Sequence, residues 1–131
     1  AGAGKNVANA AGTITISNNG FMLVWNEIVA VGPTAMTVNN GYIANNGALV
    51  TLTLPAVAAV GDIVQVAGKG AGGWLIAQNA GQTIYFGITN TTAGVGGSLA
   101  STQTYDNVKL LCITANTDWE VIYALGNITV V

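Results

Sequence analysis

Few side chains in this sequence are equipped for chemistry, and they are carboxylates, aromatic rings and one short glycine run. The carboxylates are Glu27, Asp62, Asp106, Asp118 and Glu120. Two carboxylates at the right spacing can share acid and base roles. Asp62, however, directly follows Gly61, and Asp118 closes Asn116-Thr117-Asp118, a turn in which Asp accepts nearby backbone N–H groups. The chain has no histidine, no arginine and no activated nucleophile. The sequence therefore predicts no catalytic residue and no enzyme. Residues 68–73, GKGAGG, suggest a phosphate cradle. A P-loop needs its Lys followed by Ser or Thr at the start of a helix. Here Lys69 is followed by Gly70 and a β-rich run, which reads as a flexible hairpin. Cys112 is alone, so there is no internal disulfide, and without histidine no zinc site or other cofactor is expected. Its setting in VKLLCIT makes it a buried small hydrophobe.

The aromatic residues carry more. Trp25, Trp74, Trp119, Tyr42, Tyr85, Tyr105 and Tyr123 offer faces on which the C–H side of a sugar ring can stack. Core packing is the commoner use of each. Two positions favour a surface role. Trp74 follows two glycines, and Tyr105 lies beside Asp106 and Asn107, a carboxylate and an amide of the types that orient sugar hydroxyls. Trp74, Tyr105, Asp106 and Asn107 are accordingly the candidate ligand-binding residues, with a cell-surface glycan as the ligand.

Composition narrows the setting. Of 131 residues, 51% are hydrophobic and only 6% are charged, with a net charge of −2, where ordinary soluble domains are roughly 25% charged. Three scattered lysines cannot neutralise a phosphate backbone, so nucleic acid is excluded as a partner. A spanning helix needs about 20 consecutive apolar residues. The longest candidate, 48–60, is interrupted by Thr51, Thr53 and Pro55, so no membrane insertion is expected. What remains is a chain that hides surface against copies of itself. Burying on the order of 1,000 Å² of apolar surface per subunit, at about 25 cal/mol per Å², gives on the order of 25 kcal/mol before association costs.

The elements that would position these residues are strands. Residues 13–17, TITIS, alternate cleanly, and 21–31, FMLVWNEIVAV, also fit a helix but read better as a strand because Val, Ile, Phe and Trp dominate and Gly32-Pro33 follows. Asn40-Gly41 suggests a tight hairpin between 35–39 and 42–44. In 48–54, Ala48, Val50, Leu52 and Leu54 share one face, and Pro55 ends the run. Residues 61–87 contain three β-rich runs, 63–67, 74–78 and 83–86, joined by short gaps that predict a three-stranded antiparallel meander. A long Thr/Gly/Ser loop, 88–103, follows. In 107–115, Val108, Leu110 and Cys112 alternate with Lys109, Leu111 and Ile113, and 119–125 pairs back across a turn. Residues 128–131 form a last strand. About ten short strands, mostly antiparallel, predict a single all-β domain of β-sandwich or jelly-roll-like form. Residues 1–12 are a candidate flexible or strand-donating arm. Ala1-Gly2-Ala3-Gly4 suits either a site following signal cleavage or a cut within a longer fibre chain.

Residues 46–131 carry a resemblance. The pieces NNGALVTLTLP, GKGAGGW-IAQN-GQ-I-FG and the ending YD-V-LLC-ANT-W-V are similar to a β-rich domain found towards the C-termini of bacteriophage tail-fibre-like proteins and in bacterial and prophage surface proteins. The resemblance implies an intertwined homotrimer, receptor contacts at tip loops, a virion-surface or extracellular location, and no catalytic residues. Residues 1–45 lie outside it. The expectation is a non-enzymatic structural and adhesive fibre subunit. Its rivals are a secreted subunit that polymerises into an open filament by strand exchange and a stand-alone lectin-like domain.

Overall fold

The structure, a computed structural model, describes residues 22–131. The strand expected at 13–17 and the arm at 1–12 lie outside the described residues. Among these residues the chain forms twelve strands and no helix: β1 Val24–Ile28, β2 Thr34–Ala35, β3 Asn40–Ala44, β4 Val50–Thr53, β5 Ile63–Gly68, β6 Trp74–Ala77, β7 Thr83–Phe86, β8 Thr89–Asn90, β9 Ser98–Ala100, β10 Asn107–Thr114, β11 Asp118–Leu125 and β12 Thr129–Val130. They make a seven-stranded sheet, ordered β1-β3-β5-β10-β11-β7-β8, and a five-stranded sheet, ordered β12-β9-β6-β4-β2. The domain is all-β and sandwich-like, as the alternation patterns require.

The pairing is mixed rather than mostly antiparallel. From β1 to β6 the chain crosses between the sheets at every step. β1, β3 and β5 therefore stack in parallel in one sheet, while β2, β4 and β6 stack in parallel in the other. This is three turns of a flattened coil. The hairpin β10–β11 then joins antiparallel to β5, and β7 lies parallel to β11. Two local expectations change in consequence. The meander of 61–87 does not exist: β5 and β7 lie in one sheet, β6 in the other, and none of the three pairs with another. The hairpin at Asn40-Gly41 is also absent, because Asn39 takes the positive φ of 62° and Gly41 lies within β3. Short gaps between apolar runs fit crossing between sheets as well as they fit hairpins. Periodicity shows which side chains turn inward, and leaves partner choice open.

Inward residues from both sheets fill the space between them. Val50 and Leu52 of β4, Val64 and Val66 of β5, Trp74 and Ile76 of β6, Val108, Leu110 and Cys112 of β10 and Trp119 of β11 are all fully buried. Burial also pushes the Cys112 thiol above its ordinary pKa, which keeps it protonated and inert at neutral pH.

The coil stacks at its corners as closely as along its strands. The backbone N–H groups of Lys69 and Gly70 both donate to the Ala44 carbonyl, at 2.9 and 3.0 Å, and Gly72 N–H donates to the Asn46 carbonyl at 2.9 Å. A Cβ on Gly72 would come within 2.0 Å of the Ala48 carbonyl oxygen. The GKGAGG run is thus a corner laid flat on the corner below it, not a free loop.

The two ends of the stack differ. The β8/β12 end is closed by buried neutral side chains. Gln78 Nε2 donates to the carbonyls of Gln82, Thr92 and Gly94, Gln82 Nε2 donates to those of Pro55 and Asn116, and the Thr91 hydroxyl donates to Gln78 Oε1. At the other end, β1 and β2 are the last strands of their sheets among the described residues. Val24 belongs to the inward set of β1, two places before Asn26, which pairs with buried Tyr42. It is nevertheless 64% exposed, because no rung beyond β1 covers it among the described residues.

The corner contact gives a paired test. Gly72→Ala is expected to cost about 1–3 kcal/mol through overpacking against backbone. Gly47→Ala, where a Cβ meets nothing within 4 Å, should stay within about 0.5 kcal/mol of the parent. Denaturant unfolding of both variants checks this.

Candidate functional site

The four residues singled out from sequence do not converge. Trp74 is fully buried, correcting its expected place on the surface. It begins β6 on the inward phase that Ile76 continues, so the two preceding glycines serve the corner and do not expose the ring. Its indole N–H donates to the Asp106 carbonyl at 2.9 Å. Asp106 is 3% exposed and faces inward as well. Its carboxylate accepts the backbone N–H groups of Thr102 and Gln103, at 2.8 and 3.0 Å, and the Thr102 hydroxyl at 3.3 Å. Asp106 thus ties the turn before β10, a structural use of the carboxylate. Tyr105 is 72% exposed on that turn, apart from the other three. Asn107 alone reaches a candidate site. Being next to Asp106 in an extended chain, it points to the opposite side, and its Oδ1 accepts the Gln65 Nε2 hydrogen bond at 3.0 Å.

Asn107 opens onto the outer face of the seven-stranded sheet. There the registers align one residue from each of five neighbouring strands: Trp25 with Gly41, Gly41 with Gln65, Gln65 with Lys109, and Lys109 with Tyr123. Given a strand spacing of about 4.8 Å, this row spans roughly 19 Å. Two concavities lie along it. One of about 460 Å³ is lined by Gln65, Asn107, Lys109, Ile122 and Tyr123. The other, of about 270 Å³, is lined by Met22, Leu23, Trp25, Gln65 and Lys109. They share Gln65 and Lys109 and form one furrow across the strands.

Local sequence explains each wall. Gly41 has no side chain, so the Trp25 ring lies across β3; a Cβ there would meet ring carbons at 2.6 Å. Gln65 lies between inward Val64 and Val66, and Lys109 between inward Val108 and Leu110, so alternation sends both outward. On β11 the register slips between Lys109 and Leu110. That bulge leaves Ile122 and Tyr123, consecutive in sequence, both exposed, at 46% and 50%. Of these residues only Trp25 and Tyr123 stood out in the sequence as sugar-stacking rings. Gln65 and Lys109 were legible only as polar residues on the outward phase of apolar strands.

Charge is sparse around the furrow. Lys69 and Glu27 form an exposed pair at 3.3 Å. The Asn45 amide, and then Lys69, hold the Glu27 carboxyl below its ordinary value. That small contribution is present at neutral pH and is lost as pH falls through the lowered value. Lys109 has no carboxylate within 4.0 Å among the described residues. No group of three or more His, Cys, Asp or Glu side chains gathers among the described residues in a way that could hold a metal.

No family model matches the chain, and no curated protein matches it either.

Removing the Asp106 tie tests its structural role. Asp106→Ala strands two N–H groups and is expected to cost about 1–3 kcal/mol. Tyr105→Ala should stay within about 0.5 kcal/mol. Thermal and denaturant unfolding of the two variants separate them.

Proposed function

We propose that this chain is a non-enzymatic structural and adhesive module of an extracellular, homo-oligomeric fibre, in which copies of the chain cover one another's open ends. The observation that carries the reading is the β1/β2 end. The edge strands β1 and β2 lie there, and the inward-facing Val24 is 64% exposed with no further rung beyond it among the described residues. Met22, Val29 and Val31 add further exposure there, at 75%, 63% and 48%. The segment bearing Val29 and Val31 is hydrogen-bonded to the next rung through Asn46 Nδ2 and Thr51 N–H, so these residues sit on the first rung itself. Among the described residues this rung has no cover and its strand edges no partner, and such a rung is a liability in a lone molecule. With so few charges to oppose contact between like chains, a sister copy is the fitting cover.

The contrast between the ends favours a closed assembly over an open filament. Head-to-tail growth would need the β8/β12 end to accept the open rung. That end presents the edge strands β8 and β12, two residues each against the five of β1, and buried Gln78, Gln82 and Thr91 already spend their hydrogen bonds within the chain. An open end meeting other open ends, in a dimer or trimer, needs no such acceptor. The likeness of residues 46–131 to tail-fibre-like domains supports the same reading and, with it, a place on a virion or cell exterior. No helix among the described residues is long and apolar enough to cross a membrane.

The test is mass in solution. The full chain should sediment as a discrete oligomer at micromolar concentration, and Val24→Asp combined with Val31→Asp should shift it to monomer while its circular dichroism stays β-rich. A wild-type chain that is monomeric across that range overturns the reading.

A further inference from the structure

The geometry points to the furrow on the outer face of the seven-stranded sheet as a binding site for an acidic saccharide, a short oligosaccharide bearing a ring carboxylate. The site deepens the adhesive half of the function proposed above, but it is built from one chain and does not need the assembly.

Three features select this ligand class. First, Trp25 and Tyr123 stand at the two ends of one aligned row, both about half exposed, at 45% and 50%. The Trp25 ring lies over Gly41 of β3, three strand gaps or roughly 14 Å from the strand of Tyr123, a separation that suits a ligand with repeated flat C–H patches, which a chain of pyranose rings supplies. Second, the floor between them is polar and neutral. Gln65 and Asn107 hold each other through the 3.0 Å amide hydrogen bond. Among the described residues one Gln65 N–H and the Asn107 NH₂ donors have no other partner, and a fixed amide pair is suited to reading hydroxyl groups. Third, Lys109 lines both concavities and has no carboxylate within 4.0 Å among the described residues. In a chain of net charge −2 with three cationic side chains, an ammonium group without a counter-charge in the middle of a concave surface is a ready partner for an anion. Phosphate-rich partners need several such charges; one lysine between aromatic rings fits one carboxylate per ligand. Exposed Ile122 completes the apolar wall beside Tyr123.

The experiment uses the full chain, with trigalacturonic acid and 3′-sialyllactose as acidic probes and maltotriose as the neutral control. Isothermal titration calorimetry and the Trp25 indole N–H signal in NMR supply the readouts. At least one acidic probe should bind and move that signal, more weakly as salt is raised, while maltotriose binds at least about tenfold more weakly. Lys109→Gln, which keeps the stem and loses the charge, should lower affinity for the acidic probe roughly tenfold and erase the preference over maltotriose. Tyr123→Ala should weaken binding of every probe that the furrow takes. The proposal is overturned if neither acidic probe binds, if maltotriose binds as well as the acids, or if Lys109→Gln leaves affinity unchanged. Sedimentation of the same samples keeps the two readings apart. Binding by a monomeric chain retains the furrow and removes the assembly, and an oligomer without binding does the reverse.

Discussion

The architecture depends on backbone meeting backbone at the corners of the coil. A chain that alternates between two sheets must turn over the top of its own previous turn, and any side chain at the crossing would hold the layers apart. Here the Ala44 carbonyl accepts two N–H groups from the next corner, and Gly70 and Gly72 lie against the backbone of Asn46 and Ala48. This close approach sets the spacing of the parallel strands on either side of it. The same spacing then lets Val50, Leu52, Val64, Trp74 and Ile76 pack wholly out of reach of solvent.

The furrow is a by-product of that regularity, shaped by two local departures from it. Parallel stacking places Trp25, Gly41 and Gln65 in one row, and the antiparallel hairpin extends the row to Lys109 and Tyr123. The glycine in β3 lets the Trp25 ring drop across the sheet, and the bulge in β11 doubles the exposed surface at Ile122 and Tyr123. Without those departures the outer face would be an even pleat with no concavity. Rigid strands, not loops, hold the groups that face outward here, so their spacing is fixed by hydrogen bonds between strands.

How much was legible beforehand follows from what alternation encodes. The inward phase of Val108, Leu110 and Cys112 was readable, as was that of Val50, Leu52 and Leu54, because burial of one face imposes a period of two on the sequence. Strand partners were not readable. Val24 faces Asn40, whereas Asn40 faces Val64, so successive turns of the coil differ in length and leave no repeat to detect. Trp74 misled because its neighbouring glycines are a corner signal and a surface signal at once. Asp106 and Asn107 looked like one polar pair, yet a strand sends neighbours to opposite sides, one to the turn before β10 and the other to the furrow. The row from Trp25 to Tyr123 joins residues far apart in sequence, and only the registers assemble it.

The clasp at the β8/β12 end has a consequence for how that end responds to salt and acid. Gln78, Gln82 and Thr91 hold that end with amide and hydroxyl groups, and none of the three gains or loses a proton under any natural condition. Ion pairs in the same place would loosen in high salt or in acid, whereas these hydrogen bonds involve no titrating group and no charge for salt to screen.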